Sequence, residues 1–145
     1  MTKVKTGFEQ IHFVNDYRDE PRSGVADFNG KPHWFENIFD ETLDDYSPFY
    51  WLTPLSSSAF DFVKQQSEIF SRWRQAFDKG EVDISTHPAL PQDAEKYKKT
   101  AGIINGEVAA QEKQRIKVHG EMKRVDDGAP AGTLSVFQVK WDLES

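Results

Sequence analysis

Two hydrophobic periods run through this chain, a two-residue alternation toward both ends and a helical repeat in the middle. Val25-Ala26-Asp27-Phe28 and Lys31-Pro32-His33-Trp34-Phe35 flank Asn29-Gly30, a pair that supplies the two positive φ angles of a type I′ turn. A two-residue loop there sets Phe28 opposite Lys31, Asp27 opposite Pro32, Ala26 opposite His33 and Val25 opposite Trp34. Side chains alternate along a strand, so Val25, Asp27, Trp34 and Glu36 fall on one face. Pro32 lands at a non-hydrogen-bonded position, which predicts a sheet edge at that end of the hairpin. Ile11–Tyr17 reads as an earlier strand that ends in the charged turn Arg18–Gly24. Phe49–Thr53 reads as a later one, after the acidic connection Asp40–Asp45 and before Pro54.

Beyond Pro54 the period changes. Ala59, Phe62, Val63, Ile69, Phe70, Trp73, Ala76 and Phe77 fall within a sector of about 140° on a helical wheel, the width of a core-facing stripe. Ser58 with Asp61 forms the expected N-terminal cap and Lys79-Gly80 the C-terminal signal. Thr86–Pro91 should be extended. Asp93 should then cap a shorter helix ending at Asn105-Gly106, while Glu107–Gln114 is ambiguous. Alternation returns with Ile116, Val118 and Met122, and again with Phe137, Val139, Trp141 and Leu143. Asp126–Gly132 would join the two as a hairpin loop. These elements predict an α+β fold over a single domain, residues 1–145: an antiparallel sheet of five to six strands with two hairpins, and one long and one shorter helix packed on one face.

The 145 residues include no cysteine, which removes disulfides and thiolate chemistry and fits a reducing, cytoplasmic compartment. No apolar run approaches a bilayer span and Met1–Gln10 lacks a signal-peptide core, so a soluble protein without membrane contact is expected. The net charge is −6, and residues 1–60 hold 5 basic against 10 acidic side chains. An acidic balance argues against nucleic acid, whose binding rests on phosphate neutralisation. Lys96, Lys98 and Lys99, and the basic residues from Lys113 to Arg124, alternate with glutamates as solvent faces do.

No phosphate loop, dinucleotide fingerprint, zinc H-E-x-x-H or G-x-S-x-G elbow occurs. His33 and Glu36 are three apart on a strand and point to opposite faces, so they do not pair as metal ligands. Asp16–Asp27 has Pro21 where a calcium loop needs glycine. Neither a metal, a cofactor nor a catalytic residue is assigned.

The stretch Asp16–His33, with Thr86–Pro91, resembles a group of short bacterial proteins that carry no assigned activity. The resemblance covers half the chain and implies a single-domain bacterial fold, with no functional residue to transfer.

Aromatic residues make up 13% of the chain and crowd between Trp34 and Trp51, beside the acidic front. The sequence therefore points to a non-enzymatic interaction or self-associating module. Its surface would include Asp27, Trp34, Glu36, Tyr50 and Trp51, tryptophan being enriched where interface energy concentrates. The partner would be another protein or a second copy of the chain. The alternative is a small enzyme or small-molecule binder with a pocket between the long helix and the sheet. Gln66, whose amide needs a partner within an apolar sector, would line it with His33 and Asp16.

Overall fold

The computed structural model describes residues 7–125 and 137–143. The elements are β1 (Phe8–Arg18), β2 (Glu20–Phe28), β3 (Lys31–Asp40), β4 (Asp45–Pro54), α1 (Ser57–Asp78), α2 (Ala94–Ala110), β5 (Ile116–Arg124) and β6 (Phe137–Leu143). They form two compact units, residues 1–55 with 111–145, and residues 56–110.

The first unit holds the six strands. Each strand pairs antiparallel with the next, and β6 returns to β1 through Phe8↔Lys140, Glu9↔Val139 and Gln10↔Gln138. The α+β class and the six antiparallel strands agree with the periodicity, but the sheet is not open: it closes into a barrel. The β2–β3 register follows the Asn-Gly turn, with Phe28↔Lys31, Asp27↔Pro32, Ala26↔His33 and Val25↔Trp34. Asn29 and Gly30 both take positive φ, 56° and 77°. The Glu9 carboxylate grips this turn, accepting from the Asn29 and Gly30 amides at 3.0 Å each.

The edge expected at Pro32 does not exist, because β4 lies on the far side of β3 and pairs Pro54 with His33. Pro32 falls one residue past that ladder, and its carbonyl accepts from Leu55 N at 3.2 Å. Arg18–Gly24 is not a broad turn either. The chain reverses at Asp19 (φ 70°) and β2 begins at once. Likewise β4 starts at Asp45, which narrows the acidic connection to four residues, 41–44.

Alternation decides what fills the barrel. Ala26, Phe35, Tyr50, Leu52, Val118, Val139 and Trp141 form the buried core with Ile11 and Phe137. Phe35, Tyr50 and Trp141 meet as a trio, with ring centroids 5.1–6.1 Å apart, the spacing of edge-to-face and tilted pairs. Gly120 makes room for them, since a Cβ there would sit 2.6 Å from Trp141 and 2.7 Å from Tyr50. The Trp141 indole N–H donates to the Asp27 carbonyl at 3.0 Å, so its polar end is also satisfied.

The second unit holds the helices. Three successive serines could cap α1, and the structure uses Ser56 rather than Ser58: its hydroxyl accepts from Ala59 N. The last turn ends at Lys79-Gly80 as the sequence indicates, with Gly80 at φ 75°. Helix α2 runs through Asn105-Gly106 to Ala110. Glu107 explains part of that extension, because its carboxylate accepts from Ser56 N and Ser56 Oγ at 2.6 and 2.9 Å and joins the two ends of the unit. Asp93 does precede α2, but its carboxylate binds Arg72 through two bonds of 3.0 and 3.1 Å. The segment Thr86–Pro91 is not simply extended, since 3-10 turns at Ile84–Thr86 and Pro91–Asp93 bracket it. Gln66 donates to the Tyr97 carbonyl (3.0 Å) and the Thr100 hydroxyl (3.1 Å), tying α1 to α2. The Asp126–Gly132 loop lies outside the described residues.

Candidate functional site

The β3–β4 hairpin exposes Phe39 and Leu43, two of the large apolar side chains that the barrel unit leaves in solvent alongside Tyr17 and Leu143, and a part-buried polar network holds it in place. Arg22 lies at the centre of that network. Its Nε donates to the Arg18 carbonyl at 3.0 Å, its Nη1 donates to Asn37 Oδ1 at 2.9 Å, and Glu20 lies 3.7 Å away. Asn37 spends its own two N–H groups on the Ser47 and Phe49 carbonyls, both at 2.9 Å, spanning the irregular part of the β3–β4 ladder. The amide thus supplies two donors at a point where the strand register shifts and carbonyls would otherwise lose partners.

Tyr50 completes the network from inside. Burial, reinforced by the Glu20 carboxylate, pushes its phenol up to about 12, against the opposing charge and hydrogen bond of Arg22. A neutral phenol there donates or accepts without placing a charge in the core. The outer end of Arg22 covers the Tyr46 ring, with the guanidinium carbon 4.1 Å from the centroid. Tyr46 in turn meets Phe39 edge-on, 5.2 Å between centroids at 90°. A chain of contacts therefore runs from the buried phenol to two rings at the surface.

Phe39 is 44% exposed and Leu43 is 71% exposed. Together with Ile38, Tyr46, Pro48 and Phe49 they line a groove of about 570 Å³ that Asp40 and Glu41 border at one end and Lys117 at the other. The Lys117 ammonium lies 5.0 Å from the Phe49 ring centre. The hairpin turn is preorganised: Asp40 Oδ1 accepts from Thr42 N (2.9 Å) and Leu43 N (3.3 Å), and Asp44 takes positive φ. Leu43 is held outward by this backbone while the carboxylates of Glu41, Asp44 and Asp45 surround it in sequence.

The residues expected at a surface divide between surface and core. Glu36 is exposed and half-buried Trp51 is its direct cross-strand partner, with Lys117 on the other side of Trp51. The Arg115 guanidinium covers the Trp51 ring at 3.9 Å. Tyr50 has to be withdrawn from the surface set, because it shares its parity with Leu52 and is sealed in the barrel at 2% exposure. Trp34 is buried as well, at 9%. It faces away from the barrel core, opposite Val25 and Thr53, so it is not the exposed anchor the hairpin face implied. Asp27 is half-buried and engaged, its Oδ1 lying 2.8 Å from His12 Nε2.

Within the barrel unit, Asp16 and His33 of the alternative pocket set are not brought to one point. Asp16 pairs with Ser23 whereas His33 pairs with Ala26, which sets them about 10 Å apart along β2. His33 uses Nδ1 on the Lys31 carbonyl at 2.9 Å and meets the Phe28 ring edge-on. Gln66 spends its amide N–H groups within the helical unit. Among the described residues no three His, Asp or Glu side chains converge as a metal site, and no helix is long and apolar enough to cross a membrane.

The sequence reading passed over Phe39, Leu43 and Tyr46. One signal was available: Leu43 is a single large apolar residue inside Asp40-Glu41-Thr42-Leu43-Asp44-Asp45, where a solvated turn has no use for it. Comparison of the chain with protein-family models, with curated proteins and with solved structures finds no match in any of the three.

Proposed function

We propose that this protein is a binding module that docks a protein partner on the outer surface of the β3–β4 hairpin. One observation carries the reading: Phe39 and Leu43 stand exposed beside a groove, on a turn whose backbone and neighbouring rings are fixed from within by Arg22, Asn37 and Tyr50. Leaving large apolar side chains in water is unfavourable, and a contiguous apolar surface rimmed by charge is characteristic of protein contacts. Preorganisation adds to this, since a surface already held in one shape loses little freedom when a partner arrives. Trp51 continues the same surface along β4, with Glu36 of β3 on one side of it and Lys117 of β5 on the other.

A photo-reactive side chain placed at position 43, with a matched one at exposed Ile84 as control, tests the reading. A discrete cross-linked protein product from position 43 that disappears when Phe39→Ser is added supports it. A product insensitive to Phe39→Ser, or the same product from position 84, overturns it. Sedimentation of the uncross-linked protein reports whether the partner is a second copy, as a mass above 16.7 kDa.

A further inference from the structure

The groove is not only apolar; its charges are ordered along its length. Strand β4 lines it from Tyr46 to Phe49 and continues beyond it to Trp51, five steps at about 3.3 Å, or roughly 17 Å. At the hairpin end lie Asp40 and Glu41, with Asp44 and Asp45 beside them in the turn. The middle is Phe39, Tyr46 and Phe49. At the far end Lys117 stands over Phe49, and Arg115 covers Trp51 one cross-strand position on. Over the length of a short peptide segment an acidic zone therefore gives way to an apolar one and then to Lys117 and Arg115, although Glu36 stands opposite Trp51 at that end and Glu112 lies 3.5 Å from Arg115.

Resting on the docking role proposed above, we infer that the occupant is a short segment of a partner protein with cationic side chains at one end, large apolar side chains in the middle and carboxylates at the other. The cationic end meets Asp40, Glu41, Asp44 and Asp45. The apolar centre enters the groove beside Phe39 and Leu43, and the acidic end meets Lys117. Each charge taken alone lies at the surface and contributes little to affinity, but opposite charges at the two ends fix orientation and reject partners of uniform charge. The apolar centre supplies most of the affinity. Recognition in this manner reads side-chain order along an extended or helical segment.

Fluorescence anisotropy with synthetic peptides on the full chain tests this. The probes are KKLSFSEE and its reverse order EESFSLKK, which together cover both chain directions; KKSSSSEE, which lacks the apolar centre; GGLSFSGG, which lacks the charges; and KKLSFSKK, which is cationic at both ends. One of the first two should bind at least about tenfold tighter than KKSSSSEE and GGLSFSGG. Phe39→Ser with Leu43→Ser should remove that binding. Lys117→Glu should weaken the charge-ordered probe and strengthen KKLSFSKK, a reversal that loss of folding cannot imitate, and circular dichroism of each variant confirms the fold. GGLSFSGG binding as tightly as the charge-ordered probes, or Lys117→Glu leaving the order of preference unchanged, overturns the inference. If no probe binds while the Phe39-dependent cross-link from position 43 persists, the partner's chemistry is wrong and the docking role stands; if both are lost, both fail.

Discussion

Gly120 and Tyr50 show how closely single residues are constrained in this barrel. A methyl group at position 120 would meet Trp141 and Tyr50 at 2.6–2.7 Å, far inside contact distance, and both rings are fixed by other partners. Overpacking of that kind costs about 1–3 kcal/mol. Gly120→Ala should accordingly lower the urea midpoint without changing the slope, as measured by circular dichroism. Tyr50 makes a prediction about alkali. Its phenol is raised from 10.0 to about 12 by burial and by Glu20, so the unfolded chain ionises first as pH rises. The stability linked to this group is whole below pH 10 and is lost progressively toward pH 12, by an amount on the order of 2–3 kcal/mol. Denaturation midpoints followed across that window should fall for the wild type, and Tyr50→Phe should flatten the fall. A decline unchanged by Tyr50→Phe would place the alkaline sensitivity elsewhere.

Elements are where the sequence was most readable, and where its limits can be traced to particular side chains. Asn29-Gly30 dictated a β2–β3 register that holds at all four pairs read from it, because turn chemistry is local and a two-residue loop leaves no freedom of pairing. The core faces of β5 and β6 were legible from alternation, except that Leu143, on the β6 face, is exposed. Tyr50 was misplaced because alternation tells which residues share a face and not which face lies inside. Its parity with Leu52 was the available clue. The start of α1 could not be read, since Ser56, Ser57 and Ser58 offer the same chemistry and the choice is made by Glu107, 51 residues away. That dependence is testable. Glu107→Ala should cost about 0.5–2 kcal/mol in the helical unit, the range for losing a helix cap. Amide exchange should quicken first at Ser56 and in the opening turn of α1. Equal protection in the variant would show that Ser56 caps the helix unaided.

For the whole molecule the deciding event is closure of the sheet, which no local pattern announces: Phe8 pairs with Lys140 across nearly the entire chain. Where they pair, closure removes the open edges of β1 and β6 that another chain could extend. Among the described residues the seam is narrow, three pairs against seven between β5 and β6. Native-state amide exchange should be fastest, among the strands, at Phe8–Gln10 and Gln138–Lys140, with β2 and β3 the slowest. Uniform protection around the barrel would contradict this. The helical segment adds a different consequence. It leaves the sheet after β4 and returns before β5, two neighbouring strands, and the Ser56–Glu107 clasp draws its first and last turns to a common point. It is an insertion with adjacent termini, and the two strands at its base stay paired across the gap it opens in the sequence, Leu52 with Ile116.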